Sequence, residues 1–374
     1  MSWQEFVELC KLKDELQWAV KVGVWDVMDK YGMREEGTYH SGFASLLAAA
    51  RDGSAAEQFV LGWMHEFSVG LGKGKLIEAA RWYRLASNQN HPLALCSLGN
   101  FFFSGNGVKK DREESVRLFK LGAEAEGENT LAILNLGCIY EKGEPGVLEK
   151  DRAMANSYFL LAAERGSPDA LHLMGWRYHD GIEVEQNAVK AIEYYEAAIT
   201  KSNHSNALYN LGRLYRDGIL FQVKPDLEKA RYYFQRAVDQ KDSTMAMLAL
   251  AKMIENGNGG PDAKPSQVVE LVMGAAEKDH TGMANERLGF IFLKGTSYGV
   301  SRDRKKAATF FWLASMKEEY FETSAFTLAG MYHKPQEVND LPFDAAKAMQ
   351  FYKLADKGGT RSFELQLQLK KKLC

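Results

Sequence analysis

Cysteine is scarce in this chain of 374 residues: Cys10, Cys96, Cys138 and Cys374 are widely separated and show no CxxC spacing. That argues against a disulfide framework and against a thiolate zinc site. An excess of one charge is missing too. The 47 Lys and Arg stand against 49 Asp and Glu, a net charge of −2, so the global field attracts neither nucleic acid nor an anionic membrane. No run reaches the eighteen or so apolar residues of a spanning helix. The opening stretch, MSWQEFVELCKLKDELQWAV, mixes charges among its apolar residues, unlike a secretory signal or a membrane anchor. The expected compartment is therefore the cytoplasm. Two catalytic signatures are absent as well: HExxH and GxxxxGK[ST] do not occur. The glycine-rich GNGG at 257–260 falls between two helical phrases rather than after a strand, and His172 and His179 lie two helical turns apart, about 10 Å, too far to share one metal. No catalytic residue, metal ligand or cofactor is assigned, and a non-enzyme is expected.

What the chain has is repetition. ALYNLGRLYRDG (207–218) returns as ALCSLGNFFFSG (94–105), AILNLGCIYEKG (132–143), ALHLMGWRYHDG (170–181) and ANERLGFIFLKG (284–295), with looser copies from Glu57, Ala246 and Ser324. The small residue inside each phrase is Gly62, Gly99, Gly137, Gly175, Gly212, Ala251, Gly289 and Ala329, spaced 37 to 40 residues apart. A glycine inside a helix costs roughly 0.5–1 kcal/mol relative to alanine. Since alanine is the only replacement, the position demands absence of bulk, which predicts close contact with another helix.

That other helix follows in each copy: EAARWYRLAS (78–87), ESVRLFKLGA (114–123), MANSYFLLAA (154–163), KAIEYYEAAI (190–199), KARYYFQRAV (229–238), QVVELVMGAA (267–276), KAATFFWLAS (306–315) and KAMQFYKLAD (347–356). Small, aromatic, aromatic and small residues fall at i, i+3, i+4 and i+7, one face of a helix. The paired rings, such as Tyr194 and Tyr195, are core candidates. Asp111, Asp151, Asp226, Asp303 and Asp344 lie four residues before the first small residue and are expected N-caps. A regular period near 38 predicts one all-α array of about eight helix pairs, each burying its apolar face by stacking on its neighbours.

Residues 1–42 precede the array (43–360) and are expected to cap it, although AVKVGVWDVM (19–28) alternates like a strand over part of its length. In SFELQLQLKKKL (362–373), Leu365, Leu369 and Leu373 share a helical face, so 361–374 is expected to close the array as a cap helix.

A helix with LGxxY, a glycine-containing loop and an Asp-led helix with KAxx(Y)(Y/F)xxA closely resembles the Sel-one-like repeat (SLR), a relative of the tetratricopeptide repeat. The resemblance covers about 54–360 and is best from Ala94 to Gly218. It implies an α/α superhelical solenoid whose first helices line a concave groove. It also implies an adaptor or binding scaffold, common in bacteria, including secretion, signalling and toxin-immunity systems. The cysteine-rich secreted branch is not matched, because its paired cysteines are missing. The carboxylate clamp of some tetratricopeptide proteins is not matched either. Asn100 and Asn135 fall at its asparagine positions, but Asp169 and Leu173 replace the basic residues.

On the first helices, positions three before, one after and four after the small residue share a face that varies between repeats. The candidate partner-binding residues on it are Trp63, Asn100, Phe103, His172, Trp176, His179, Tyr209, Arg213, Arg216 and Lys252. Trp, Tyr and Arg dominate binding hot spots because they combine buried area with directed polar contacts. The competing reading is that these rings pack between neighbouring helices while the arginines meet Asp180 and Asp217. The sequence thus points to a non-catalytic scaffold gripping a protein or an extended peptide with an acidic segment, without nucleic acid or membrane; a monomer is plausible. A bacterial adaptor or an antidote to a toxin fits the resemblance. The alternative is an enzyme, or a regulator of one, with a small-ligand cleft near the N-terminal cap.

Overall fold

A computed structural model describes residues 24–33, 39–67, 75–125, 129–240, 243–278, 282–317, 321–333 and 344–355. The chain divides into two compact units, Met1–Gln186 and Asn187–Cys374, and the division falls between the two helices of the fourth repeat. The first unit contains α1 (Val24–Lys30), α2 (Tyr39–Arg51), α3 (Ala55–Glu66), α4 (Leu76–Ser87), α5 (Pro92–Ser104), α6 (Arg112–Glu124), α7 (Thr130–Lys142), α8 (Arg152–Glu164) and α9 (Pro168–Asp180). The second contains α10 (Ala188–Ser202), α11 (Ser205–Asp217), α12 (Leu227–Asp239), α13 (Thr244–Glu255) and α14 (Pro265–Lys278). It continues with α15 (Met283–Lys294), a 3-10 turn (Thr296–Tyr298), α16 (Arg304–Ser315), α17 (Phe321–His333) and α18 (Ala345–Ala355). Among the described residues there is no strand; two isolated bridges, Glu144 with Leu148 and Ile219 with Val223, pinch the loops of repeats three and five. Within each unit, every described helix from α3 onward packs on the next.

In repeats one, two, three, five and seven the small residue sits against a ring of the second helix. A methyl group at Gly99 would stand 2.8 Å from the Phe119 ring, at Gly212 2.8 Å from Phe234, and at Gly289 2.7 Å from Phe311. Gly62 against Tyr83 and Gly137 against Phe159 repeat the arrangement. These rings are buried. Removing such a ring from water contributes about 1.5–3 kcal/mol, which offsets the propensity lost at the glycine. In repeat six Ala251 takes the glycine's place and Val272 the ring's, within one core cluster.

The other ring of the second helix stacks on an aromatic three residues past the small one. Tyr140 and Tyr158 have centroids 5.4 Å apart, Tyr215 and Tyr233 5.7 Å, Phe292 and Phe310 5.6 Å, and Tyr332 and Phe351 6.1 Å.

All five expected aspartates cap. Their carboxylates accept from the N–H three residues on, at Glu114 (3.0 Å), Met154 (2.9 Å), Lys229 (3.0 Å), Lys306 (2.9 Å) and Lys347 (2.9 Å). Asn187 does the same for Lys190 (3.0 Å). The aspartate's own N–H reaches back across the loop to the first helix: Asp111 to Phe102 O (2.9 Å), Asp151 to Tyr140 O (2.8 Å), Asp226 to Tyr215 O (2.7 Å), Asp303 to Phe292 O (3.0 Å) and Asp344 to Tyr332 O (3.2 Å). One residue therefore starts the second helix and ties it to the first.

The start of the array has its own device. Five residues before the small one, repeats two to seven bury an alanine: Ala94, Ala132, Ala170, Ala207, Ala246 and Ala284. Repeat one buries Glu57 there, only 3% exposed. Its carboxylate accepts from Lys30 Nζ (2.7 Å), the Tyr31 hydroxyl (3.0 Å) and the Ser54 hydroxyl. Burial pushes its pKa up, but these donors outweigh burial and hold it down at about 2. The segment around α1 is thus tied to α3 by a buried carboxylate. The strand-like alternation of AVKVGVWDVM does not produce a strand in its described part, which is helical from Val24. Helix α2 runs through position 42, the expected cap boundary. The expected closing helix at 361–374 lies outside the described residues.

Candidate partner-binding face

The ten residues proposed from the sequence divide between the units: Trp63, Asn100, Phe103, His172, Trp176 and His179 on α3, α5 and α9, and Tyr209, Arg213, Arg216 and Lys252 on α11 and α13. Their surroundings differ. Trp63 is 3% exposed, its ring beside Phe67 at 5.4 Å, and His179 is 6% exposed. Both offer little surface. Asn100 is exposed and accepts from Asn135 Nδ2 (3.3 Å), which also reaches Cys96 Sγ (3.6 Å), a polar link between repeats two and three. Phe103 is half-buried under the Arg112 guanidinium, 3.5 Å from the ring centroid. His172 and Trp176 are half-buried on α9.

In the second unit Tyr209, Arg213 and Arg216 are half-buried on α11, and Lys252 is exposed on α13. Tyr209 lies against the core ring Phe234 at 5.7 Å, so part of its area is already used. Arg216 donates twice to the neighbouring Asp217 carboxylate, each at 2.8 Å. Those bonds raise its pKa, so the guanidinium stays charged. The Asp217 pairing anticipated as the competing reading is therefore present, on a residue that remains about a third exposed at 34%. A ligand carboxylate meeting Arg216 shares it with Asp217.

Three carboxylates at the position four past the small residue turn inward. Glu66 accepts from the buried Tyr83 hydroxyl (2.5 Å). Glu255 pairs with Arg287 of the next repeat (2.8 Å). Glu141 pairs with Arg177, which is fully buried, donates to Asn156 Oδ1 (2.6 Å) and lies 4.8 Å from the Phe159 centroid. A fully enclosed arginine has little signal in a single sequence, because its carboxylate partner is a whole repeat away.

Among the described residues, no three His, Cys, Asp or Glu side chains converge in a way that could hold a metal ion, and no helix is long and apolar enough to cross a membrane. Burial pushes the Cys96 thiol up to about 12, which keeps it protonated. The region of the alternative small-ligand cleft is described only at 24–33 and 39–67.

The model of the Sel1 repeat matches residues 58–91, 92–126, 130–167, 168–203, 205–242, 244–265 and 282–317. The chain belongs to the Sel1 repeat family. Its fold is accordingly an all-α repeat solenoid, and α17–α18 continue it beyond the matched segments with the same cap and ring stack. Among proteins similar to this Sel1 repeat chain is chitin synthase regulatory factor 3 of Schizosaccharomyces pombe, 23% identical over 254 residues. That match covers 67% of this chain and only 26% of the yeast protein, so the chain spans about a quarter of that relative. Among solved structures, a protective antigen of uropathogenic Escherichia coli with an SLR fold is similar at a TM-score of 0.65 and 25% identity, covering 88% of this chain and 67% of that one. A Sel1 repeat protein from Oxalobacter formigenes gives 0.60 and 26%, covering 68% and 100%.

Proposed function

We propose that this chain is a non-catalytic interaction scaffold, and that the first helices of its repeats hold a protein or an extended peptide. Membership in the Sel1 repeat family implies protein partners. The observation favouring a particular face is the half-buried set Tyr209, Arg213 and Arg216 on α11, a ring and two guanidinium groups on one helix. Rings supply area, and guanidinium groups orient a carboxylate through paired bonds. The favoured ligand carries an acidic segment next to an apolar or aromatic side chain. A regulatory adaptor agrees with the name of the fission-yeast relative; the antidote role rests on the family resemblance alone.

The test uses the full chain as bait, identifies a stoichiometric polypeptide, and measures its affinity by calorimetry. Tyr209→Ala, Arg213→Ala and Arg216→Ala together should weaken binding by about 2 kcal/mol or more, with unchanged helicity and melting. A folded triple variant that binds as tightly as wild type would overturn the face assignment. A thermal-shift hit with a metabolite and no bound polypeptide would overturn the scaffold reading.

A further inference from the structure

Repeat six breaks the pattern on the side of its second helix. Where the neighbouring repeats five and seven stack two rings, it has Ile254 and Leu271. At the cap position stands Lys264, whose N–H goes to Gln267 Oε1 (2.9 Å), and Gly259–Gly260 begins a loop wall instead of a tight return. Arg231 Nη1 fills the space beside Gly260 that a side chain would need. The family match in this repeat also stops at residue 265, the first residue of the second helix.

The missing rings leave a cleft of about 910 Å³ between α12, α13 and α14. Its floor is apolar, with Leu250, Ile254 and Leu271, and Tyr232 stands beside it 55% exposed. Its rim is acidic: Glu228, Asp239, Asp262 and Glu270 line it against the single guanidinium of Arg231. Apolar area without a satisfied ring, ringed by carboxylates, selects for shape and for charge at once.

We propose that this cleft takes a peptide segment presenting a large apolar side chain next to a lysine or arginine. The apolar side chain occupies the volume that the stacked rings fill in repeats five and seven, and the cation meets the Glu228, Asp262 and Glu270 carboxylates. This preference is opposite in charge to that proposed for α11, so the two sites take different ligands.

The probe is a short fluorescein-labelled peptide with a central Leu-Phe pair flanked by lysines, compared with its glutamate-flanked counterpart. Anisotropy with the full chain should show the lysine peptide binding about tenfold or more tightly, with the difference shrinking as salt is raised. Ile254→Tyr with Leu271→Tyr restores the rings of neighbouring repeats, so it should keep helicity and melting while abolishing binding. Glu228→Lys with Glu270→Lys alters only exposed positions and should weaken the lysine peptide by about tenfold; it serves as the test should the ring-filled variant not fold. Arg213→Ala with Arg216→Ala should leave this binding unchanged. No binding of the lysine peptide, equal binding of the glutamate peptide, or undiminished binding by the folded ring-filled or charge-reversed variant would overturn the proposal.

Discussion

Gly212 and Phe234 face each other so closely that a methyl group on the glycine would stand 2.8 Å from the ring. Gly212→Ala should therefore destabilise the chain even though alanine favours helix, and Gly212→Leu should cost about 3 kcal/mol through overpacking. Repeat six holds the compensated version, Ala251 with Val272. Phe234→Val should then recover part of the loss in the Gly212→Ala background, a favourable coupling in a double-mutant cycle read by denaturant melts. Additive effects would show that ring and glycine are independent.

Glu57 makes an acid-sensitive tie. Its pKa is held down at about 2 by Lys30, Ser54 and Tyr31 in spite of burial, so its contribution is complete above about pH 4.5 and is lost as the pH falls toward 2. The shift corresponds to about 3 kcal/mol. Glu57→Gln should lower the melting temperature at pH 7 and flatten the fall in stability between pH 5 and 2. A variant with the wild-type pH profile would contradict the assignment.

His91 caps α5 by accepting the Ala94 N–H on Nδ1 (3.3 Å), which requires neutral imidazole. Burial lowers its pKa, so the stabilisation is present above the unfolded value near 6.5 and is lost as the pH falls through the lower folded value. His91→Asn keeps an acceptor at that position and should remove this part of the pH dependence, measured by thermal melts from pH 7 to 5.

Arg177 is buried with Glu141 as its ionic partner. Glu141→Ala should cost about 2 kcal/mol, because the guanidinium loses its countercharge in a place water does not reach. An exposed carboxylate such as Glu149 should change stability by less than about 0.5 kcal/mol when truncated. Equal effects at the two positions would mean that Arg177 is satisfied without Glu141.

The repeats were legible because their devices act over short sequence distances. The small residue and its ring lie about twenty residues apart in a fixed register, and Asp226 caps an N–H three residues away. Asn187, the sixth such cap, escaped because the motif was read as aspartate, although asparagine accepts the same bond. The outward face was harder to read. Angular arithmetic on one helix places Glu141 and Trp63 beside Arg216, yet whether a side chain meets water depends on the adjoining helices. Glu141 finds Arg177 in the next repeat, and Trp63 is closed off beside Phe67. The cleft of repeat six was not anticipated: Leu271 and Ile254 stand in the sequence where rings are common, but the cleft and its acidic rim appear only once three helices are brought together.

Because the aspartate N–H closes five of the pairs onto their first helices, the intervening loop there is relieved of holding the helices in register. Residues 105–111 span the gap in repeat two, while the longer 218–226 does so in repeat five with the same closing bond. The extra length is spent outward, on a tip where Phe221 is 98% exposed with a left-handed φ of 63°. Each junction so closed is thus an insertion site by construction. Sequence can lengthen or change there without disturbing the neighbours, which gives an engineer, or natural selection, an independent grafting point in each of those five repeats.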